Sequence, residues 1–154
     1  MTIEEEIKNE LGGEDYSKLP VIDRYEIDLE LGSGSHATVY RALDRASEHM
    51  VAVKVPFEGP PNSESRKALS REIESLMTLR HPGIIRVLDH RVDDEYCFMV
   101  TDLCAGPSLN TLTGCHRSSA KAICKVAEAL EFLHLQGFIH RDIKPSNILI
   151  DYND

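Results

Sequence analysis

Nowhere in its 154 residues does the chain hold an apolar run approaching the roughly 18 residues that cross a membrane. Its first residues, MTIEEEIKNE, are acidic, whereas a secretory signal needs a basic start and then an apolar stretch. No C-x-x-C pair exists for zinc or for a redox couple, because Cys97, Cys104, Cys115 and Cys124 stand 7, 11 and 9 residues apart. Reduced thiols and an intracellular, cytoplasmic location are therefore expected, with no membrane partner. Basic residues are also few, 17 Lys and Arg against 26 Asp and Glu, for a net charge of −9. Residues 1–30 hold ten acids and three bases, so most of the excess leads the chain. That distribution argues for a solvated acidic segment and against a nucleic-acid-binding face. Internal repeats and low-complexity tracts are absent as well.

What remains is an ordinary globular composition, 42% hydrophobic and 28% charged, able to bury one sizeable core. Residues 1–23 mix acids with Gly12, Gly13 and Pro20, and IEEEIKNEL offers a short helix with little apolar surface; a flexible acidic tail is expected. YEIDLEL then alternates, putting Tyr25, Ile27, Leu29 and Leu31 on one face of a strand. ATVYRA and MVAVKV continue as strands in a meander, and PFEGPPNSES is a breaker-rich loop. SRKALSREIESLMTLR carries Leu69, Ile73, Leu76 and Met77 at helical period and is expected to end at His81-Pro82-Gly83. IIRVLDHR and EYCFMVTDL read as two more strands, joined by VDDE. AGPSLNTLTG reads as a loop or short helix. SSAKAICKVAEALEFLHLQG follows as an amphipathic helix with a stripe of Ile123, Val126, Leu130 and Leu133, stopped at Gly137.

Gly32, Ser33, Gly34, Ser35, His36 and Ala37 form a stretch in which missing Cβ atoms let backbone N–H groups approach anionic oxygens. On its own the stretch reads equally as a glycine turn between strands. A dinucleotide fingerprint must open a helix, and Thr38-Val39-Tyr40 continues as strand; a Walker A loop would need Gly-Lys-Ser/Thr. Lys54 shares a strand face with Ala52, and such a lysine either reaches water at a sheet edge or meets a counter-charge. Glu72 supplies one, lying between Leu69 and Leu76 on the buried helix stripe, whereas Glu74 points away.

Glycine loop, VAVK, REI-x-x-L-x-x-L-x-HP, VTDL, amphipathic helix and HRDIKPSN occur in an order and spacing that resemble the eukaryotic-type protein kinase family over residues 24–154. Lys144 and Pro145 after Asp142 resemble its serine/threonine class. The resemblance implies an α+β fold: a five-stranded antiparallel N-lobe with one helix and a hinge over residues 24–105, then the start of a helical C-lobe over 106–154. It implies Mg2+ and ATP as cofactors, a protein substrate, and phosphoryl transfer to serine or threonine hydroxyls. Lys54, held by Glu72, would bridge the α- and β-phosphates under the amides of Ser33 to Ala37. Leu31, Val39 and Ala52 would sandwich the adenine, and Asp102 and Cys104, after Thr101, would offer hinge backbone groups. Asp142 would accept the substrate hydroxyl proton, Lys144 would steady the γ-phosphate, and Asn147 would ligate magnesium. His140 is expected to pack as a structural residue, and the other six histidines to lie on the surface or in loops.

Two departures from the family pattern stand out. Ala37 replaces the third glycine of the loop, which removes conformational freedom but no donor. The DFG aspartate, which in this family lies roughly 18 to 21 residues beyond the catalytic aspartate, does not follow Asp142 here. Ile148-Leu149-Ile150 reads as a strand and DYND as the turn leaving it. The expectation is a truncated kinase with weak or no activity, with an exposed apolar helix stripe. The alternative is a non-catalytic, pseudokinase-like module that binds ATP or a partner.

Overall fold

The computed structural model describes residues 22–104, 106–111 and 116–151. Residues 1–21 of the acidic tail expected over residues 1–23, Ala105 at the expected hinge boundary, Cys115 and residues 152–154 of the expected DYND turn lie outside the described residues, whereas Ile22 is buried in the core.

Five antiparallel strands form one sheet: β1 (Tyr25–Ser33), β2 (Ala37–Asp44), β3 (His49–Pro56), β4 (Val87–Val92) and β5 (Cys97–Asp102), in the order β1-β2-β3-β5-β4. Strand β5 lies inside the sheet because CFMVT is apolar or small on both faces, and all five of its residues are buried. Phe98 and Val100 join Tyr25, Ala42, Val51 and Val53 in one core, while Cys97 and Met99 join Leu69 and Ile73 in a second. Helix α1 (Glu64–Thr78) covers the second face.

The alternation expected of β1 holds through Leu29, but Leu31 is 47% exposed. Register shifts at Ile27/Leu29 and Glu30/Gly32 each insert an extra residue, and a bulge breaks the two-residue period. At the other end of β1, the Tyr25 ring packs edge-on to Phe98 at 5.8 Å and its hydroxyl reaches Asp89 on β4. Arg24 adds ion pairs to Asp44 at 3.0 Å and Asp89 at 3.2 Å. The two edges of the twisted sheet are thereby tied together.

Ser63 caps α1 by accepting from the Arg66 amide, and Glu64 complements the helix dipole in the first turn. Leu69, Ile73 and half-buried Leu76 form its inner stripe; Met77, expected there, is 46% exposed. The helix ends earlier than expected, because Leu79 takes up extended backbone and turns its side chain into the core. Arg66 fastens the first turns to the β4–β5 connection by donating to the carbonyls of Asp93 and Tyr96.

Helix α2 (His116–Leu135) closes in a Schellman motif: Gly137 at φ 81° donates to His134 and Phe138 donates to Leu133. Among its described side chains Ala129 and Leu133 are buried, and Phe132 stacks at 5.1 Å on His81, which lies half-buried in the loop after α1. The expected exposed stripe is uneven: Ile123 is exposed, Val126 and Leu130 are half-buried and Leu133 is buried. Residues 148–150, expected as a strand, make a single antiparallel bridge, Ser108 to Leu149, flanked by bonds from Leu109 to Ile148 and from Ile150 to Pro107. Among the described residues, no helix is long and apolar enough to cross a membrane.

Candidate active site

Residues directly opposed in an antiparallel pair share a face, so the register itself assembles the first part of the site. Val39 lies opposite Lys54, Lys54 opposite Met99, and Ala52 opposite Thr101. Gly32 lies opposite Val39 on the neighbouring strand. These residues occupy the face that α1 covers, and Lys54 Nζ meets both oxygens of Glu72, at 2.7 and 2.6 Å. Both side chains keep partial solvent access, 29% and 38%, so the pair is neither buried and costly nor a loose surface contact.

The glycine stretch forms the β1–β2 turn. Its tip is closed by the Gly34 amide donating to the Ala37 carbonyl at 2.9 Å, and its base by the Ser33 and Thr38 hydroxyls at 3.2 Å. One expected phosphate donor, the Gly34 N–H, is therefore engaged within the turn; Ser35 and His36 sit exposed at its tip. Nothing lies within 4 Å of the position a Cβ would take on Gly32, so the backbone there faces open space. Ala37, in the place of a third glycine, is buried at 6% and contributes to packing.

At the end of β5, Thr101 is buried, and Asp102 and Cys104 are half-buried. The Asp102 amide donates to the Arg86 carbonyl at 3.2 Å, while the Asp102 carboxylate accepts two bonds from the Arg86 guanidinium, at 3.0 and 2.9 Å. The Asp102 amide is thus engaged, and its carbonyl accepts the Thr101 hydroxyl at 3.2 Å.

The second part of the site is the segment after Gly137. Arg141 adopts φ 64°, a left-handed conformation that a non-glycine residue holds only where its surroundings enforce it. The turn brings the Asp142 amide to His140 Nδ1 at 3.3 Å; His140 is exposed and not packed inside as expected, but its ring anchors the loop. A 3₁₀ turn at Pro145–Asn147 returns Asn147 Nδ2 to Asp142, 2.9 Å from the carbonyl and 3.0 Å from Oδ2. Lys144 Nζ lies 3.1 Å from the same Oδ2. Hydrogen bonds from Lys144 and Asn147 hold the Asp142 carboxyl below its ordinary range, so it is ionised at neutral pH.

With both Nδ2 hydrogens turned toward Asp142, the Asn147 Oδ1 is the free pole of its amide. No group of three or more His, Cys, Asp or Glu residues suited to a metal occurs among the described residues. Asn147 Oδ1 is the type of single neutral oxygen that a magnesium ion, which takes one or two protein oxygens and fills its shell with phosphates and water, could accept.

The structure thus joins Lys54 to Glu72, pairs Val39 with Lys54 and Ala52 with Thr101 by register, joins Asp142 to Lys144 and Asn147, and leaves Leu31 on an exposed bulge. Arg86, Arg66 and the Tyr25–Asp89 contact have no counterpart in the reading of the sequence. Arg86 carries no local signal, since its partner lies 16 residues away on another strand.

Comparison with known proteins agrees with this geometry. The sequence profile of the protein kinase domain matches residues 25–154. The serine/threonine-protein kinase ULK3 of Xenopus laevis is 36% identical over 141 residues, covering 88% of this chain and 30% of that protein. Aurora kinase A-A of Xenopus laevis is 37% identical over 142 residues, covering 86% of this chain and 34% of the relative. Aurora-1 of Arabidopsis thaliana is 35% identical over 132 residues, covering 82% of this chain and 45% of the relative. The chain therefore spans less than half the length of these curated relatives. With the profile matched from the first strand to the last residue, the chain belongs to the protein kinase domain family.

Proposed function

We propose that the chain binds Mg-ATP and carries the phosphoryl-transfer residues of a protein serine/threonine kinase, acting inside the cell on a protein hydroxyl. The observation that carries this reading is the Lys54–Glu72 pair, at 2.6 to 2.7 Å, on one face with Val39, Ala52 and Thr101 beside an open glycine turn. Residues 24–105 are taken as the nucleotide-holding lobe with its hinge and 106–154 as the part carrying the catalytic loop.

When bound, Mg-ATP supplies an electrophilic γ-phosphoryl group. In this reading Val39 and Ala52 line the adenine, with Leu31 closing over it from the bulge. The Asp102 carbonyl and the Cys104 backbone meet the base edge. Glu72 fixes the Lys54 ammonium toward the phosphates, and the free amides of Ser35 and His36 cover them. Asn147 Oδ1 is the protein's ligand to the metal. Asp142, with Oδ2 engaged by Asn147 and Lys144, keeps Oδ1 to receive the hydroxyl of the substrate. Its lowered pKa makes it a weak base, so its work is to orient the hydroxyl and to take its proton late, which suits a loose transition state. Lys144 then sits where charge on the transferring group is neutralised.

A nucleotide-binding module without turnover is the second reading, in which Lys54 and Glu72 hold a nucleotide that is not turned over. Titration of the chain with mant-ATP, with and without magnesium, tests nucleotide binding; transfer of labelled phosphate to a serine- and threonine-containing protein tests turnover. Magnesium-dependent binding that Lys54→Met abolishes, with Asp142-dependent transfer, supports the first reading. Binding without transfer supports the second, and absence of binding removes both.

A further inference from the structure

We infer that Arg86 is a positioning residue for nucleotide recognition, setting the preference for adenine over guanine through Asp102; the inference rests on the functional reading above. Arg86 precedes β4 and holds Asp102 at three points: its carbonyl accepts the Asp102 amide at 3.2 Å, and its guanidinium forks the carboxylate at 3.0 and 2.9 Å. On the other side, Asp102 is paired with Val51 of β3. The last residue of β5 is therefore pinned between two strands at the point where the chain leaves the sheet.

The pinning has a chemical consequence. Because the Asp102 amide is engaged, the residue offers a base only its carbonyl, which already accepts the Thr101 hydroxyl at 3.2 Å and keeps a second lone pair. An acceptor fits the 6-amino group of adenine and repels the 6-oxo group of guanine. Discrimination of this kind depends on the carbonyl staying where it is, since a carbonyl free to rotate would relieve the repulsion. A planar fork restricts that motion in a way a lysine ammonium does not.

Both side chains are largely solvent-accessible, 61% and 44%, so the pair contributes modestly to stability and its loss should leave the fold intact. The test is equilibrium binding of mant-ATP to the full chain, with ATP and GTP as competitors, for Arg86→Ala, Arg86→Lys, Asp102→Ala and the Arg86→Ala/Asp102→Ala pair. Thermal midpoints are measured in parallel. Each single variant is expected to weaken ATP about three- to fivefold and to lower the ATP-to-GTP affinity ratio by a similar factor. The double variant should be no worse than either single one, as for two residues acting as a unit. Wild-type affinity and ratio in both Arg86 variants, or additive losses in the double variant, would overturn the inference while leaving the proposed function standing. Failure of the unmodified chain to bind mant-ATP would overturn both.

Discussion

The Tyr25 hydroxyl donates to Asp89 Oδ2 at 2.5 Å, joining the two strands at opposite edges of the sheet. Burial raises the Tyr25 pKa above its ordinary value, and the bond to Asp89 adds to the rise. The neutral phenol is thus favoured in the folded state. Its contribution is complete below the unfolded value of about 10 and is lost as pH climbs from there toward the folded value. Tyr25→Phe should lower stability by about 1 kcal/mol at neutral pH. In urea titrations repeated between pH 8 and 11, the variant should also lose less stability above pH 10 than the parent does. Parallel pH curves for the two proteins would remove the edge contact from the account.

Lys54→Met separates the proposed nucleotide role of the ion pair from its structural one. Since both partners are partly solvated, the stranded Glu72 carboxylate remains hydrated and unfolding free energy should change by less than about 1 kcal/mol. In a kinase-active protein carrying this segment, phosphate transfer should drop by about 10²-fold or more. A large loss of stability with little loss of transfer would reverse the assignment.

Asp142→Asn keeps the size of the side chain and removes its charge. In a kinase-active protein carrying this segment, the substitution should lower kcat by about 10²-fold or more and leave KM for ATP nearly unchanged, since in the proposed reading the carboxylate meets the substrate hydroxyl and not the nucleobase. Steady-state kinetics with ATP varied at saturating protein substrate distinguish this from a binding defect, in which KM would rise at constant kcat.

Exposed apolar side chains make a fourth expectation. Leu135 is 79% exposed, Ile139 68% and Ile123 57%. In isolation the chain should self-associate at micromolar concentration, and Leu135→Lys with Ile139→Lys should reduce it, as read by light scattering. A monodisperse parent chain would contradict this.

The site was legible where a local period encodes it. Lys54 falls on the strand face of Ala52 by a two-residue repeat, and Glu72 falls on the stripe of Leu69 and Leu76 by a helical one, so their meeting 18 residues apart followed from two short patterns. Asp142, Lys144 and Asn147 lie within a single turn. Arg86, just before β4, meets Asp102 without any such pattern, as Tyr25 meets Asp89, 64 residues apart. The bulges of β1 were illegible too, because YEIDLEL alternates without interruption while the backbone that carries it slips register twice. His140 escaped for another reason: a ring nitrogen that accepts a backbone amide leaves no trace in spacing, and His140 does so from Asp142.

Arg66 gives α1 a mechanical character. The guanidinium is fastened to the carbonyls of Asp93 and Tyr96, and Glu72 follows six residues later, about 9 Å along the axis at 1.5 Å per residue. A helix fixed at that point behaves as a lever with its fulcrum at Arg66. Swinging it by about 20° would carry Glu72 through roughly 3 Å, more than a hydrogen bond can stretch. Small torques applied near the far end, at exposed Met77 or Thr78, would therefore be read out as the making or breaking of a single ion pair at Lys54.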